Sequence, residues 1–266
     1  MLHLGRFSHR EREGQFRSFV RKIHAAKEAS LVGTSFLLPW NGVAGNEFVA
    51  TSPGGLFNLN NYVSGGFDLY TMAILEKAKE RRTIRAFQRK RIPAPTLKKI
   101  VNVARFAPTS RNKQPLEFLI IDEPNLEKKV FQASSWAGYL DWEPSEEQRP
   151  PAYIVVLVNR EIMDSGYEYD VGLAGGYIGL AAAEQNLGSC LLGSAEGAVI
   201  RELCNLPPNR IVDLVIALGY PAQEVSLEEA GESIEYWLDE QGVMHVPKRG
   251  LEDILYYNTF REPSGG

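Results

Sequence analysis

The run Tyr153 to Val158 (YIVVLV) constrains the fold more than any other part of this 266-residue chain. It is rich in β-branched residues and apolar at every position, so it reads as a strand buried on both faces. Such a strand needs a covering layer on each side. The surrounding sequence can supply both. Thr96 can cap a helix in which Leu97, Ile100, Val101 and Ala104 share one face, ended by Pro108. Phe118 to Ile121 reads as a strand closed by Asp122-Glu123-Pro124, and Leu126 to Ala133 as a short helix. Asp170 to Leu187 is a long, mostly apolar helix and so a central one. Ser189 to Leu192 and Val212 to Leu218 read as strands, Ala198 to Leu203 and Leu251 to Tyr257 as helices. Helices alternating with strands give a mixed α/β layered domain.

The texture changes near residue 71. Residues 1–71 carry seven Lys/Arg and five Asp/Glu against 22 and 28 in the remainder. They open with a possible short helix, Glu11 to Glu28, and continue as Gly-, Asn- and Ser-rich sequence with no period of 2 or 3.6 from Gly33 to Leu69. This stretch is expected to be poorly ordered or a peripheral arm. MAILEKAKERR then begins a good helix with Ile74, Leu75 and Ala78 on one side. Met72 could be the initiator of a shorter product, which would leave residues 1–71 untranslated; a genuine extension is the alternative.

Composition removes several classes. Hydrophobic residues are 44% and charged residues 23% of the chain, enough for a substantial core. A net charge of −4 gives no global basic field for nucleic acid. Two cysteines, Cys190 and Cys204, without a CxxC, exclude a disulfide scaffold and fit a reducing cytoplasm. Four scattered histidines make no metal-ligand spacing, so no metal is expected. The longest nearly apolar run, Val171 to Ala183, is too short to cross a bilayer, and the charged N-terminus is no signal peptide.

Five places could carry chemistry. Arg81, Arg82, Thr83 and Arg85 combine guanidinium forks with a hydroxyl, a set that matches phosphate oxygens but could equally be a solvated basic run. The loop Ala107 to Pro115 offers hydroxyls and amides from Thr109, Ser110, Asn112 and Gln114, able to read a flat heterocycle or simply to close a turn. Gly172, Gly175, Gly176 and Gly179 match no nucleotide loop and suit close helix packing. Gly193 and Ser194 lie between a strand and a helix, where backbone amides can meet a ligand edge. Lys248 and Arg249 follow a proline and could close on an anion or simply be surface charge.

Taken in order, RRTIRAF at 81–87, ARFAPTSRNKQP at 104–115, the 170–188 helix, LLGS at 191–194, ALGYP at 217–221 and GVMHVPKRGLEDIL at 242–255 resemble the flavin-dependent nitroreductase family. The resemblance spans about residues 72–260. It implies an α+β fold, a three-layer α-β-α sandwich that forms a homodimer with FMN at the subunit interface. Residues 72–266 would be the FMN-binding domain. Arg81, Arg82, Thr83 and Arg85 would hold the phosphate, ribityl chain or pyrimidine edge, with Lys248 or Arg249 assisting. Pro108, Thr109, Ser110, Asn112 and Gln114 would reach the flavin of the partner subunit, and Gly193 and Ser194 would lie near its N5 side. NADH or NADPH would donate hydride, and a nitroaromatic, quinone or free flavin would accept it, with ping-pong kinetics. The flavin carries the electron chemistry, so no catalytic side chain is assigned. Residues 136–151, with three aromatics and three glutamates, read either as a lid over the flavin face that selects the acceptor or as a structural loop with its aromatics tucked into the body. Leu116, where relatives commonly carry an aromatic, bears on the substrate class. The other readings are a flavin-binding sensor without turnover, a reductive dehalogenase, a flavin-fragmenting enzyme, and a nucleic-acid protein resting on the basic stretch 77–99.

Overall fold

The computed structural model describes residues 49–52, 55–58 and 69–260. The chain divides into two units, Met1–Phe67 and Asp68–Gly266. In the first, β1 (Val49–Ser52) and β2 (Gly55–Asn58) pair antiparallel, with Val49 opposite Asn58. Both strands fall within the stretch Gly33 to Leu69 that shows no sequence period of 2 or 3.6. Strands of four residues are too short to leave a readable period. The expected helix at Glu11 to Glu28 lies outside the described residues.

The second unit runs α1 (Leu69–Glu80), α2 (Ala94–Ala104), β3 (Leu116–Ile121), α3 (Pro124–Gln132), β4 (Ala152–Asn159), α4 (Glu168–Glu184), β5 (Gly188–Leu192), α5 (Gly197–Leu203), β6 (Arg210–Gly219), β7 (Val225–Glu229), β8 (Trp237–Leu238) and β9 (Met244–Lys248). Four strands form an antiparallel sheet in the order β3-β4-β6-β5. Every residue of β4 is buried. Ala152, Ile154, Val156 and Val158 face α2 and α4 through Leu97, Ile100, Val171 and Ile178. Tyr153, Val155 and Leu157 face the opposite layer, where Val130 of α3 and Ile200 of α5 pack. The two clusters make the three-layer α+β sandwich. Each fully buried Val or Ile contributes about 1.5–3 kcal/mol, so β4 is the main anchor of the fold.

The segment after α1 runs along the free edge of β5. Thr83 bridges Ser189 in parallel, and the Ile84 amide donates to the Ser189 carbonyl at 3.0 Å. Two glycines permit this approach. A Cβ on Gly188 would stand 2.7 Å from Ile84, and one on Gly219 would stand 2.7 Å from both Phe87 and Pro151.

Several boundaries differ from expectation. Helix α2 begins at Ala94, with Pro93 as its N-cap residue, and Thr96 sits inside it without capping. Proline at the first turn already has a helical φ, and that overrides the Thr96 signal. The helix ends at Ala104, four residues before Pro108. β3 ends at Ile121, just before Asp122-Glu123-Pro124 as expected, and Glu123 also caps α3, accepting from the amides of Asn125 and Leu126. The expected terminal helix at Leu251 to Tyr257 is only a 3-10 turn, Leu251–Asp253. Its apolar side chains are all exposed, and without a surface to pack on a short helix does not repay nucleation. Residues Ile74 and Leu75 of α1 are likewise exposed.

A second, smaller sheet, β7-β9-β8, has β7 parallel and β8 antiparallel to β9. It holds half-buried Tyr236 just ahead of β8, and exposed Lys248 and Arg249 at the end of β9.

Candidate functional site

Arg81, Arg82, Thr83 and Arg85 are all half-buried along the β5 edge. Arg81 lays its aliphatic stem on α4, so that a Cβ on Gly179 would meet its Cδ at 3.4 Å. The Arg82 guanidinium donates to the carbonyls of Lys79 and Arg81 at the end of α1. Partial burial, and then the Arg81 charge, hold Arg82 below its ordinary arginine pKa. Among the described residues none of Arg81, Arg82 and Arg85 has a carboxylate within ion-pair distance.

Arg85 joins a second group of residues. Its Nε donates to the Trp136 carbonyl at 2.7 Å, and its guanidinium lies 4.5 Å from the centre of the Tyr236 ring. Its amide donates to Gln223 Oε1 at 3.0 Å. Ser194 joins the same loop from β5, its hydroxyl donating to the Ser135 carbonyl at 2.9 Å. Gly193 beside it is exposed, with open space where a Cβ would be. The structure therefore brings Arg85 and Gly193-Ser194 together around residues 135–139.

The 108–114 loop lies elsewhere. Pro108, Ser110, Asn112 and Gln114 are exposed and Thr109 is half-buried. The Ser110 amide donates to Asp170 Oδ1 at 2.9 Å, and the Gln114 amide donates to the Thr109 hydroxyl at 3.1 Å. Arg111, Asn112 and Gln114 have φ of 53°, 54° and 53°, a left-handed conformation that costs a side-chain-bearing residue energy. Asp170, which fastens this loop, and Gly179, which carries Arg81, are nine positions apart on α4, about 14 Å along its axis. Among the described residues no hydrogen bond or ion pair joins this loop to Arg81, Arg82 or Arg85. Lys248 ends β9, and Arg249 bonds the Asp253 carbonyl. Neither is hydrogen-bonded to the arginine segment among the described residues.

The four helix glycines separate by face. Gly175 approaches Leu191 and Leu214 and Gly179 approaches Arg81, whereas Gly172 and Gly176 meet nothing within 4 Å. The outward face of α4 carries Tyr169, Leu173 and Tyr177, all exposed, at helical spacing around Gly172 and Gly176.

Sequence reasoning gave Asp170 only as a helix start. It is 3% exposed and organises the 108–114 loop, and an acid opening an apolar helix is a signal that could have found it. Tyr236 and Gln223 had no motif to mark them. The proposed lid is anchored at both ends. Trp136 is buried against Phe131, Pro144 is buried, and Arg149 pairs with Glu127. Between these anchors Tyr139, Asp141, Glu143, Ser145, Glu146 and Glu147 are exposed.

The chain belongs to the Nitroreductase family, whose sequence model matches residues 78–220, more than half its length. It is an oxidoreductase of that fold. An Archaeoglobus fulgidus protein with the provisional name NADH dehydrogenase/NAD(P)H nitroreductase is 30% identical over 161 residues, covering 57% of this chain and 87% of that one. Iodotyrosine deiodinase of Thermotoga neapolitana is 26% identical, covering 56% of this chain and 88% of the deiodinase. The structure of an FMN-dependent nitroreductase from Clostridium difficile R20291 shares the fold with a TM-score of 0.52 and 23% identity, covering 70% of this chain and 99% of that one. No helix among the described residues is long and apolar enough to cross a membrane.

Proposed function

We propose that this chain is an FMN-dependent oxidoreductase that passes hydride from NADH or NADPH to a small acceptor: a nitroaromatic, a quinone or a free flavin. The observation that carries this reading is the group of three half-buried guanidiniums without a carboxylate partner among the described residues. A phosphate dianion suits that donor set, because guanidinium forks bond phosphate oxygens in pairs. The name of the C. difficile relative supports the same cofactor.

The chemistry supplied by bound FMN is hydride transfer between donor and acceptor. The protein's part is to hold, orient and shield. Arg81 and Arg82 take the phosphate with the Thr83 hydroxyl, and Lys248 or Arg249 assists. Arg85 would serve the pyrimidine edge of bound FMN, and Gly193 and Ser194 its N5 side. Pro108, Thr109, Ser110, Asn112 and Gln114 serve a second copy's site, which accounts for their distance from the chain's own arginines. That second copy packs on the outward face of α4, where Gly172 and Gly176 allow close approach and Tyr169, Leu173 and Tyr177 supply apolar area. Residues 72–266 act as the flavin-binding domain, with residues 1–71 as an extension, in the cytoplasm.

The test is a visible spectrum of the chain with added FMN, before and after anaerobic NADH or NADPH. Tight uptake and bleaching are expected, and no uptake overturns the reading. Arg82→Ala should weaken FMN binding about tenfold to a hundredfold, the range for losing a hydrogen bond to a charged group. One shared face for donor and acceptor predicts ping-pong kinetics. Intersecting initial-rate lines would contradict that.

A second reading is reductive dehalogenation of an aromatic acceptor, favoured by the similarity to iodotyrosine deiodinase. Release of iodide from a reduced, flavin-loaded sample given iodotyrosine would select it over nitro reduction.

A further inference from the structure

We propose that Tyr236 is a positioning residue that fixes residues 135–139 over Arg85 and so sets how tightly an aromatic acceptor is held. The proposal rests on the flavin-enzyme reading above.

Tyr236 touches three things that the site needs to keep in register. Its phenol oxygen accepts the Gly138 amide at 2.7 Å and lies 3.4 Å from the Tyr139 amide. Its ring covers the Arg85 guanidinium, a cation–π contact at 4.5 Å. Its edge meets the Tyr139 ring, with centroids 5.1 Å apart and planes at 62°.

The residue is held from behind as well. It directly precedes β8, whose Trp237 pairs with His245 of β9 and stacks on its ring at 4.0 Å. The small sheet therefore presents Tyr236 from a hydrogen-bonded frame rather than from a free loop. The loop's other attachments are the Ser194 hydroxyl on the Ser135 carbonyl and Arg85 Nε on the Trp136 carbonyl. Three attachments within five residues hold residues 135–139, and Tyr139 at their end is 56% exposed. A flat acceptor arriving beside Arg85 and Ser194 meets the Tyr139–Tyr236 pair, two aromatic rings whose spacing Tyr236 sets. Removing the phenol oxygen deletes the bonds to the loop amides and keeps the ring over Arg85, so the two contributions can be separated.

The experiment compares Tyr236→Phe and Tyr236→Leu with the full-length wild type. The first measurement is hydrogen–deuterium exchange at the Gly138 and Tyr139 amides, which needs neither cofactor nor turnover. The second is the KM for p-nitrobenzoate, with the rate of flavin bleaching by NADH measured separately. With Tyr236→Phe, exchange at both amides should accelerate while β4 stays protected. The acceptor KM should rise about fivefold, the effect of one hydrogen bond, and the bleaching rate at saturating NADH should stay within about twofold of wild type. Tyr236→Leu should raise KM further, because the cation–π and edge contacts go too. Unchanged exchange at Gly138 and Tyr139 in the Phe variant overturns the proposal. So does faster exchange with an unaltered acceptor KM. If the wild type takes up no FMN, the flavin reading falls instead, and the claim that Tyr236 fixes the loop then stands or falls on the exchange result.

Discussion

Both β4 and β9 are middle strands of their sheets, yet β4 buries all eight of its residues and β9 fully buries only Met244. The difference is layer coverage rather than pairing. Helices close both faces of β4. The side chains around β9 that hold it are polar: His245 sits between Glu228 and Asp239 and stacks on Trp237. One sheet is held by excluded water and volume, the other by charge and a hydrogen-bond pattern. The candidate site lies where they meet, with Arg85 following the edge of the first and Tyr236 delivered by the second. A rigid anchor and a softer arm are a reasonable pair for a site that must bind one ligand firmly and exchange others.

The comparison breaks first at Ile154, which is fully buried against α2 and α4. Ile154→Ala should cost about 3–4 kcal/mol, transfer plus cavity. Urea unfolding with an unchanged slope would read it. A loss below about 1 kcal/mol would mean that the layers around β4 can collapse into the gap. Glu127 sharpens the same side, because it is a charge inside the apolar region. It is 1% exposed and is bonded by Arg89 and, through both oxygens at 3.2 Å, by Arg149. Glu127→Gln should cost about 3 kcal/mol, the low end for breaking a buried pair, because both arginines keep some contact with water. It should also loosen the far anchor of the loop that Tyr236 holds at its near end.

The asymmetry between the sheets also decides what the sequence could reveal. β4 was legible because burial on both faces writes an unbroken apolar run, and the 81–87 and 104–115 segments were legible as clusters of donor types. The small sheet left no such trace. VSLEE, WL and MHVPK mix charge with apolar residues at a length too short for a period, and their pairing is non-local. Tyr236 carries no motif because its role comes from where β8 puts it. The Leu251 to Tyr257 error runs the other way: an apolar pattern promised a helix, but a pattern becomes an element only when another surface receives it. The position of the 108–114 loop relative to the arginines is tertiary information, set by the length of α4.

The smallest expected effect tests the softer arm. Hydrogen bonding to Asp239, and then to Glu228, raises the His245 pKa, and His245 in turn lowers that of Asp239. A raised histidine stabilises fully below its unfolded value, about 6.5, and loses that contribution as pH climbs through the folded value. A lowered aspartate stabilises above its unfolded value, about 3.9, and loses that contribution as pH falls through the folded one. The two windows overlap from about pH 4 to 6.5, where the clamp on β9 should be tightest. Water screens these groups, so global unfolding should barely register the change. The local signal is amide exchange at residues 243–245 and at Gly138, expected to quicken from pH 6 to 9 beyond the intrinsic base-catalysed rise. In His245→Gln that excess should vanish while β4 stays protected. If the excess persists in the variant, the charge on His245 is not what holds the arm, and the backbone pairing of β8 with β9 alone sets the position of Tyr236.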